Sequence, residues 1–209
     1  FSPRPRHGLA PGEIDTVKAA PALSFALLVC APLALATVAS SAHAARTDVS
    51  VGMVLEPPNL DPTGGAAAAI DEIVYANLFE GLTRFAPDGS IEPALAASWE
   101  IEEEGRRYVF ALQENVDFHD GAEFDATDVK FSIERAQAED STNAQKALFE
   151  NIASVEVIDP GTVAFVLAEP DGNLPFNLAW GDAVMLEESS VDMAATAPVG
   201  TGPFRFDRW

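Results

Sequence analysis

The stretch "YVFALQENVDFHDGAEFDATDVKFSIER" at 108–135 decides the fold, because three kinds of local signal follow one another in it. Tyr108, Phe110 and Leu112 fall on alternate positions, the period-two pattern of a strand that buries one face. His119, Asp120 and Gly121 read as a turn, with Phe118 packed inward. Asp125 or Thr127 can cap a helix through "DVKFSIERAQAE", where Asp128 suits the first turn and Val129, Ile133 and Ala136 face inward.

Working outward, "SWEIEEEGRRYVFAL" pairs a strand carrying Trp99 and Ile101 with the one at Tyr108, across a turn at Glu103 to Arg106. "SVEVIDPGTVAFVL" is a second hairpin, turning at Pro160 and Gly161. Toward the front, "AAAAIDEIVYANLFEGL" places Ala67, Ile70, Val74 and Leu78 at helical spacing, with Gly81 positioned to end the helix. Before it, "DVSVGMVL" alternates Val49, Val51, Met53 and Leu55, a strand bounded by "EPPNLDPTGG". The order predicted is strand, helix, hairpin, helix and two further strands, an α/β chain without repeats.

The 209 residues, 48% of them hydrophobic and 22% charged, suffice for one ordinary domain or two small ones. Twelve Lys and Arg oppose 33 Asp and Glu, a formal net charge of -21. That excess argues against a phosphate-backbone or anionic-membrane binder, so no nucleic acid partner is expected. It is read as a solvated acidic surface.

The first 44 residues read as an export signal with an additional leader. Lys18 precedes the apolar run "AAPALSFALLVCAPLALATVA", and Ala42 and Ala44 form the small pair that signal peptidase requires, so cleavage is expected after Ala44. Pro21 and Pro32 oppose the alternative of a membrane anchor. Residues 1–17, beginning at Phe1, read as an overlong start. The single cysteine, Cys30, has Val29 ahead of it where a lipid-attachment signal needs a small residue, so lipid anchoring is not expected. The remaining 45–209 then carries no cysteine and relies on its core in an oxidising compartment.

Catalytic signals are sparse after residue 44. His119 is the only histidine there, and no nucleophile elbow or phosphate-binding glycine loop is present. Asp117, His119, Asp120, Asp125 and Asp128 cluster, but their spacing fits neither a calcium loop nor a zinc helix. They are read as a turn leading into a capped helix. Glu187 and Glu188 are one carboxylate pair among many in so acidic a chain. No catalytic residue, metal site or cofactor is expected.

Five ordered motifs carry a resemblance: "PPNLDP" at 57–62, "LFEGLTRF" at 78–85, "IEPALAASWE" at 91–100, the stretch at 108–135, and "PVGTGPFRFDRW" at 198–209. In this order the chain resembles bacterial extracellular solute-binding proteins of family 5, receptors of oligopeptide, dipeptide and nickel-type ABC importers. It departs from the pattern at Gln113, commonly arginine in the family, and the segment 185–197 is short.

The resemblance implies a class II periplasmic binding protein-like fold, of which 45–209 is the first lobe with its inserted subdomain, the second lobe being absent. It implies a non-enzymatic monomeric receptor in the periplasm that encloses a peptide or small solute and delivers it to an inner-membrane permease. A metal-chelate receptor, a non-functional fragment and an exported metal-dependent enzyme built on His119 are the alternatives. The loops that would face the cleft carry Pro58 and Asn59, then Thr63, Gly64, Gly65 and Ala66, and Trp180 with Gly181. Trp180 is open to two readings, a ligand wall or a core aromatic beside Phe176 and Leu178. Gly200 and Gly202 are expected to permit a close backbone crossing.

Overall fold

Residues 108–135 fold as their local signals predict, and the rest of the domain is assembled against them. The computed structural model describes residues 48–209, of which Val51–Trp209 form one packing unit. The expected export signal at 1–44 and Cys30 lie outside the described residues.

Strand β3 (Ala96–Glu102) and strand β4 (Arg107–Leu112) form the first hairpin, with Trp99 opposite Phe110 and Ile101 opposite Tyr108. The turn needs a left-handed backbone at Glu103, Glu104 and Gly105. Two of these are not glycine, a local cost that the hairpin's registry must outweigh. Strands β5 (Ile152–Asp159) and β6 (Thr162–Leu167) form the second hairpin around Pro160 and Gly161. The hairpins join through β4 and β6, where Phe110 faces Val163 and Tyr108 faces Phe165. The result is a four-stranded antiparallel sheet in the order β3, β4, β6, β5.

Alternation decides which face is covered. Tyr108, Phe110, Leu112, Val163, Phe165 and Leu167 are buried, while the edge strands expose Glu100, Glu102 and Glu156. Helix α2 (Ala126–Gln137) adds Val129, Ile133 and Ala136 to the same core. Each buried Phe or Leu contributes about 2–3 kcal/mol of apolar burial. Asp125 caps the helix, its carboxylate accepting from Thr127 N–H at 2.6 Å while Asp128 accepts from Asp125 N–H at 3.0 Å.

Three expectations from the sequence are corrected. The strand at 49–55 does not form: Val51 and Leu55 are 80% and 67% exposed, and no described strand pairs with the segment. Alternation specifies a face, but a strand also needs an edge to bond, and none of the described residues supplies one. The front helix α1 covers only Ala68–Val74, since Tyr75 is extended and Ala76 has a positive φ. Tyr75 instead donates its hydroxyl to the Ala179 carbonyl at 2.6 Å. Leu78 is buried from outside the helix, and Gly81 does not cap it; a Cβ there would meet the Leu178 oxygen at 2.7 Å. A small antiparallel pair, β1 (Thr83–Phe85) and β2 (Ile91–Pro93), was not legible in the sequence. A four-residue helix α3 (Leu174–Asn177) leads into the loop that carries Trp180.

Candidate functional site

The "NLDPTGG" loop is built around one carboxylate. Asp61 accepts from Thr63 N–H at 2.9 Å and from the Thr63 hydroxyl at 2.8 Å, while its second oxygen accepts from the Arg135 guanidinium at 2.8 Å. Asn59 accepts from Asp61 N–H at 2.9 Å, and Arg135 also donates to the Thr63 hydroxyl. Asp61 is 7% exposed, so the ion pair with Arg135 supplies the charge that its burial demands. Gly64 belongs to the same arrangement, because a Cβ there would lie 2.8 Å from the Asp61 oxygen.

The two loops that carry the residues singled out in the sequence are both hydrogen-bonded to one short segment. Thr142 donates to the Gly64 carbonyl at 3.2 Å, and Asn143 donates to the Asp182 carbonyl at 2.9 Å. The segment 141–143 therefore ties the loop at 59–66 to the loop at 180–182. Pro58 and Ala66 are exposed, Asn59, Gly64 and Gly65 half-buried, and Thr63 buried with its hydroxyl already engaged. Beside them Thr63, Arg135, Ser141 and Thr142 line a polar hollow of about 240 Å³.

Trp180 stands at the surface, 40% exposed, with Leu178 fully buried beneath the loop. Its ring meets Phe85 and Phe176 edge-on at centroid distances of 5.8 and 6.2 Å, and those two meet each other at 5.2 Å. These three rings form an exposed aromatic patch of the kind that takes apolar or cationic ligand groups.

Two carboxylates adjoin the patch. A Cβ at Gly181 would lie 3.0–3.2 Å from the Asp71 carboxyl group, so the glycine lets Asp71 lie against the loop. Asp182 is only 6% exposed. Burial, and then the Asp71 charge, push the Asp182 carboxyl up to about 6, while burial raises Asp71 as well. Neither is within ion-pair distance of a Lys, Arg or His among the described residues.

Sequence reading named Phe176 beside Trp180 but gave no place near the loops to Asp71, Phe85, Arg135 and Asp182. Only Asp182 carried a signal, as a lone acid entering the apolar run "AVML".

His119 has a structural occupation. Its Nδ1 accepts from Gly200 N–H at 3.2 Å and its Nε2 donates to the Gly202 carbonyl at 2.8 Å, a tautomer assigned from those partners. Gly200 and Gly202 thereby cross the end of the "ANLF" turn, where Cβ atoms would come within 2.0 and 2.4 Å of the Leu78 and Asn77 oxygens. Asp120 accepts from Ala122 N–H, and Asp125 and Asp128 are used in the helix cap. Among the described residues no group of three or more His, Cys, Asp or Glu is placed to hold a metal ion.

Burial first, then the neighbouring Asp125, Glu187 and Glu188 charges, raise the Asp128 carboxyl to about 6, against the lowering effect of its bond to Asp125 N–H. Glu187 is 8% exposed and one of its oxygens is buried without a partner. An apolar groove of about 400 Å³ lies elsewhere, between the segments 51–60 and 206–209.

Comparison with known proteins gives a consistent set of matches. The family described as bacterial extracellular solute-binding proteins, family 5 Middle, matches residues 90–209. The glutathione-binding protein GsiB of Pectobacterium atrosepticum is 34% identical over 187 residues, covering 87% of this chain and 36% of its own length. GsiB of Escherichia coli K12 is 31% identical with the same coverage. Among solved structures, NikZ from Campylobacter jejuni in complex with Ni(L-His) matches with a TM-score of 0.65 and 32% identity, over 74% of this chain and 32% of that one. The oligopeptide-binding protein AppA from Bacillus subtilis, in complex with a nonapeptide, matches with a TM-score of 0.67 and 25% identity over the same shares. The chain thus spans about a third of the length of the relatives it matches.

Proposed function

Since the chain belongs to the family 5 bacterial extracellular solute-binding proteins, we propose that it is part of the substrate-binding component of an ABC importer, with a peptide or a peptide-sized solute as cargo. The family match over 90–209 carries this reading. The α/β single-lobe architecture, shared with relatives whose structures hold peptides or a nickel chelate, supports it.

On this reading the protein works in the periplasm after cleavage at Ala44, as a monomer, and hands its solute to an inner-membrane permease. Binding without chemistry requires a wall of loops and pockets and no nucleophile. Pro58, Asn59, Gly64, Gly65 and Ala66 would offer backbone and small surfaces, and Trp180 with Gly181 would form the aromatic side of that wall. The Asp61–Arg135 pair would fix the loop in place, and preorganisation of this kind lowers the entropic cost of binding.

The test is calorimetry on the full-length gene product against a panel of di- to pentapeptides, glutathione and a nickel–histidine chelate. Micromolar or tighter binding of a peptide is expected. No binding by any peptide, with tight binding of the chelate, would replace peptide by metal chelate as the cargo; binding of nothing would overturn the receptor reading. Because closure between lobes supplies much of the buried contact, residues 45–209 alone are expected to bind the same peptide at least about a hundredfold more weakly.

A further inference from the structure

We propose that Asp128 and Glu187 form a proton-operated latch. A proton on the Asp128 carboxyl is donated to the bare Glu187 oxygen and fastens the segment 186–195 to the first turn of α2; loss of that proton loosens the segment. The device does not depend on which solute the protein carries.

Three observations converge on this pair. First, Glu187 is 8% exposed, and its Oε1 accepts from the Ser189 hydroxyl, while its Oε2 is the one buried side-chain polar atom without a partner among the described residues. A buried acceptor left bare is costly, and a donor beside it removes the cost. Second, Ser132 ties the two backbones together, its hydroxyl donating to the Asp128 carbonyl at 2.7 Å and accepting from Leu186 N–H at 2.8 Å. Asp128 spends one carboxyl oxygen on Asp125 N–H, which leaves the other for Glu187.

Third, no cation answers either acid among the described residues. On α2, Lys130 donates to the Val155 carbonyl at 3.1 Å and pairs with Glu134 at 2.7 Å, and Arg135 is held by Asp61. Of the elements packed on α2, β5 presents Glu156, paired with Arg107, and Asp159, which accepts from Gly161 N–H. Lys146, from the turn before β5, donates to the Ala138 and Glu139 carbonyls. The loop at 181–183 brings Asp182, and the turn at 188–193 brings Glu188 and Asp192. Arg205 donates to the His119 carbonyl, and Arg208 pairs with Asp207 in solvent. The charges that act on the Asp128 carboxyl are thus all negative, those of Asp125, Glu187 and Glu188.

Two carboxylates without a cation retain one proton at a pH where an isolated carboxyl has lost it, and the resulting O–H···O⁻ bond is charge-assisted. Burial first, then those three charges, raise Asp128 from 3.8 to about 6. The folded value lies above the ordinary one, so the stabilisation is complete below 3.8 and is lost as pH rises through about 6. The effect extends to the loop at 59–66, because Leu60 N–H donates to the Ala195 carbonyl at 2.9 Å.

The test is amide hydrogen exchange of the full 209-residue chain at pH 5 and pH 8, corrected for intrinsic rates, with a carboxyl NMR titration of Asp128. Protection over 186–195 is expected to fall about tenfold from pH 5 to pH 8, with β4 and β6 unchanged. Glu187→Gln sets a permanent N–H donor against the Asp128 carboxylate and should hold the pH 5 protection at both values. Glu187→Leu removes the acceptor and should show the pH 8 protection at both. Protection of β4 and β6 reports that each variant is folded; should Glu187→Leu lose it, Asp128→Ala, which removes the donor, takes its place with the same expectation. Repulsion alone would be relieved equally by Gln and Leu, so identical behaviour of these two variants would overturn the latch. So would protection over 186–195 that ignores pH in the parent, or an Asp128 carboxyl that titrates near 3.8.

Discussion

Asp61 and Asp182 are buried to the same degree, yet one is answered by a guanidinium and the other, which bonds its own backbone N–H, has no cation within ion-pair distance among the described residues. Asp61 lies inside a conspicuous motif and proves to be a fastening: it organises its own turn and receives Arg135 from α2. Asp182 lies in no conspicuous motif and is left exposed to the repulsion of Asp71. The difference teaches that the motif which identifies a fold can be consumed in holding it together.

The largest effect should come from breaking the satisfied pair. Arg135→Leu leaves the Asp61 carboxylate buried without its cation and the Thr63 hydroxyl without a donor. A loss of about 2–4 kcal/mol is expected in urea unfolding, below the fully buried limit because the Arg135 side chain is 31% exposed. Asp61→Asn should cost less, since the amide retains an oxygen for Thr63. A change under about 0.5 kcal/mol in Arg135→Leu would show that the two acids are not in contrast after all.

Asp182→Asn should do the opposite and stabilise the domain by about 1–3 kcal/mol at pH 8. The sign follows from linkage. The folded carboxyl holds its proton up to about 6, above the ordinary value of 3.8, so its favourable contribution is complete below 3.8 and is lost as pH rises through about 6. The difference in stability between the variant and the parent should therefore grow from pH 4 to pH 7 and then level. A difference independent of pH would remove the argument that Asp182 is an unpaid charge.

Asp128→Asn sharpens the same comparison on a smaller scale. Its carboxyl is also raised to about 6 and gives the same sign, but it serves in the cap of α2, where a negative charge is favourable by about 0.3–1 kcal/mol. The net gain at pH 8 should be roughly half that of Asp182→Asn, read from the same denaturation series. The smallest effect belongs to Gly181→Ala. The Asp71 carboxyl group is the flexible end of its side chain and can give by a few tenths of an ångström, so the cost should stay below about 1 kcal/mol in thermal unfolding.

The legible part of the molecule was the part whose partners are close in sequence. The cap at Asp125, the helix face of Val129, Ile133 and Ala136, and the two hairpins depend on neighbours a few residues away, and all formed as their spacing predicts. The strand expected at 49–55 and the long helix expected through Leu78 failed for a shared reason. Each pattern was locally sound, but what completes it lies outside the pattern: an edge to bond in the first case, and the Ala179 carbonyl that Tyr75 bonds in the second. Trp180 and Gly181 could be picked out because tryptophan and glycine are informative residue types. Asp71 could not, being an ordinary acid on a short helix.

The sequence by itself determined the family and the sheet with its capped helix, because periodicity, capping and turn chemistry are written within a few residues of where they act. Only the tertiary structure decided which buried acid receives a cation. Arg135 reaches Asp61 across 74 residues of chain, and Asp71 comes to rest against Gly181 across more than a hundred. Whether a buried charge is neutralised depends on distances of a few ångströms in space, and the order of residues along the chain does not encode these directly.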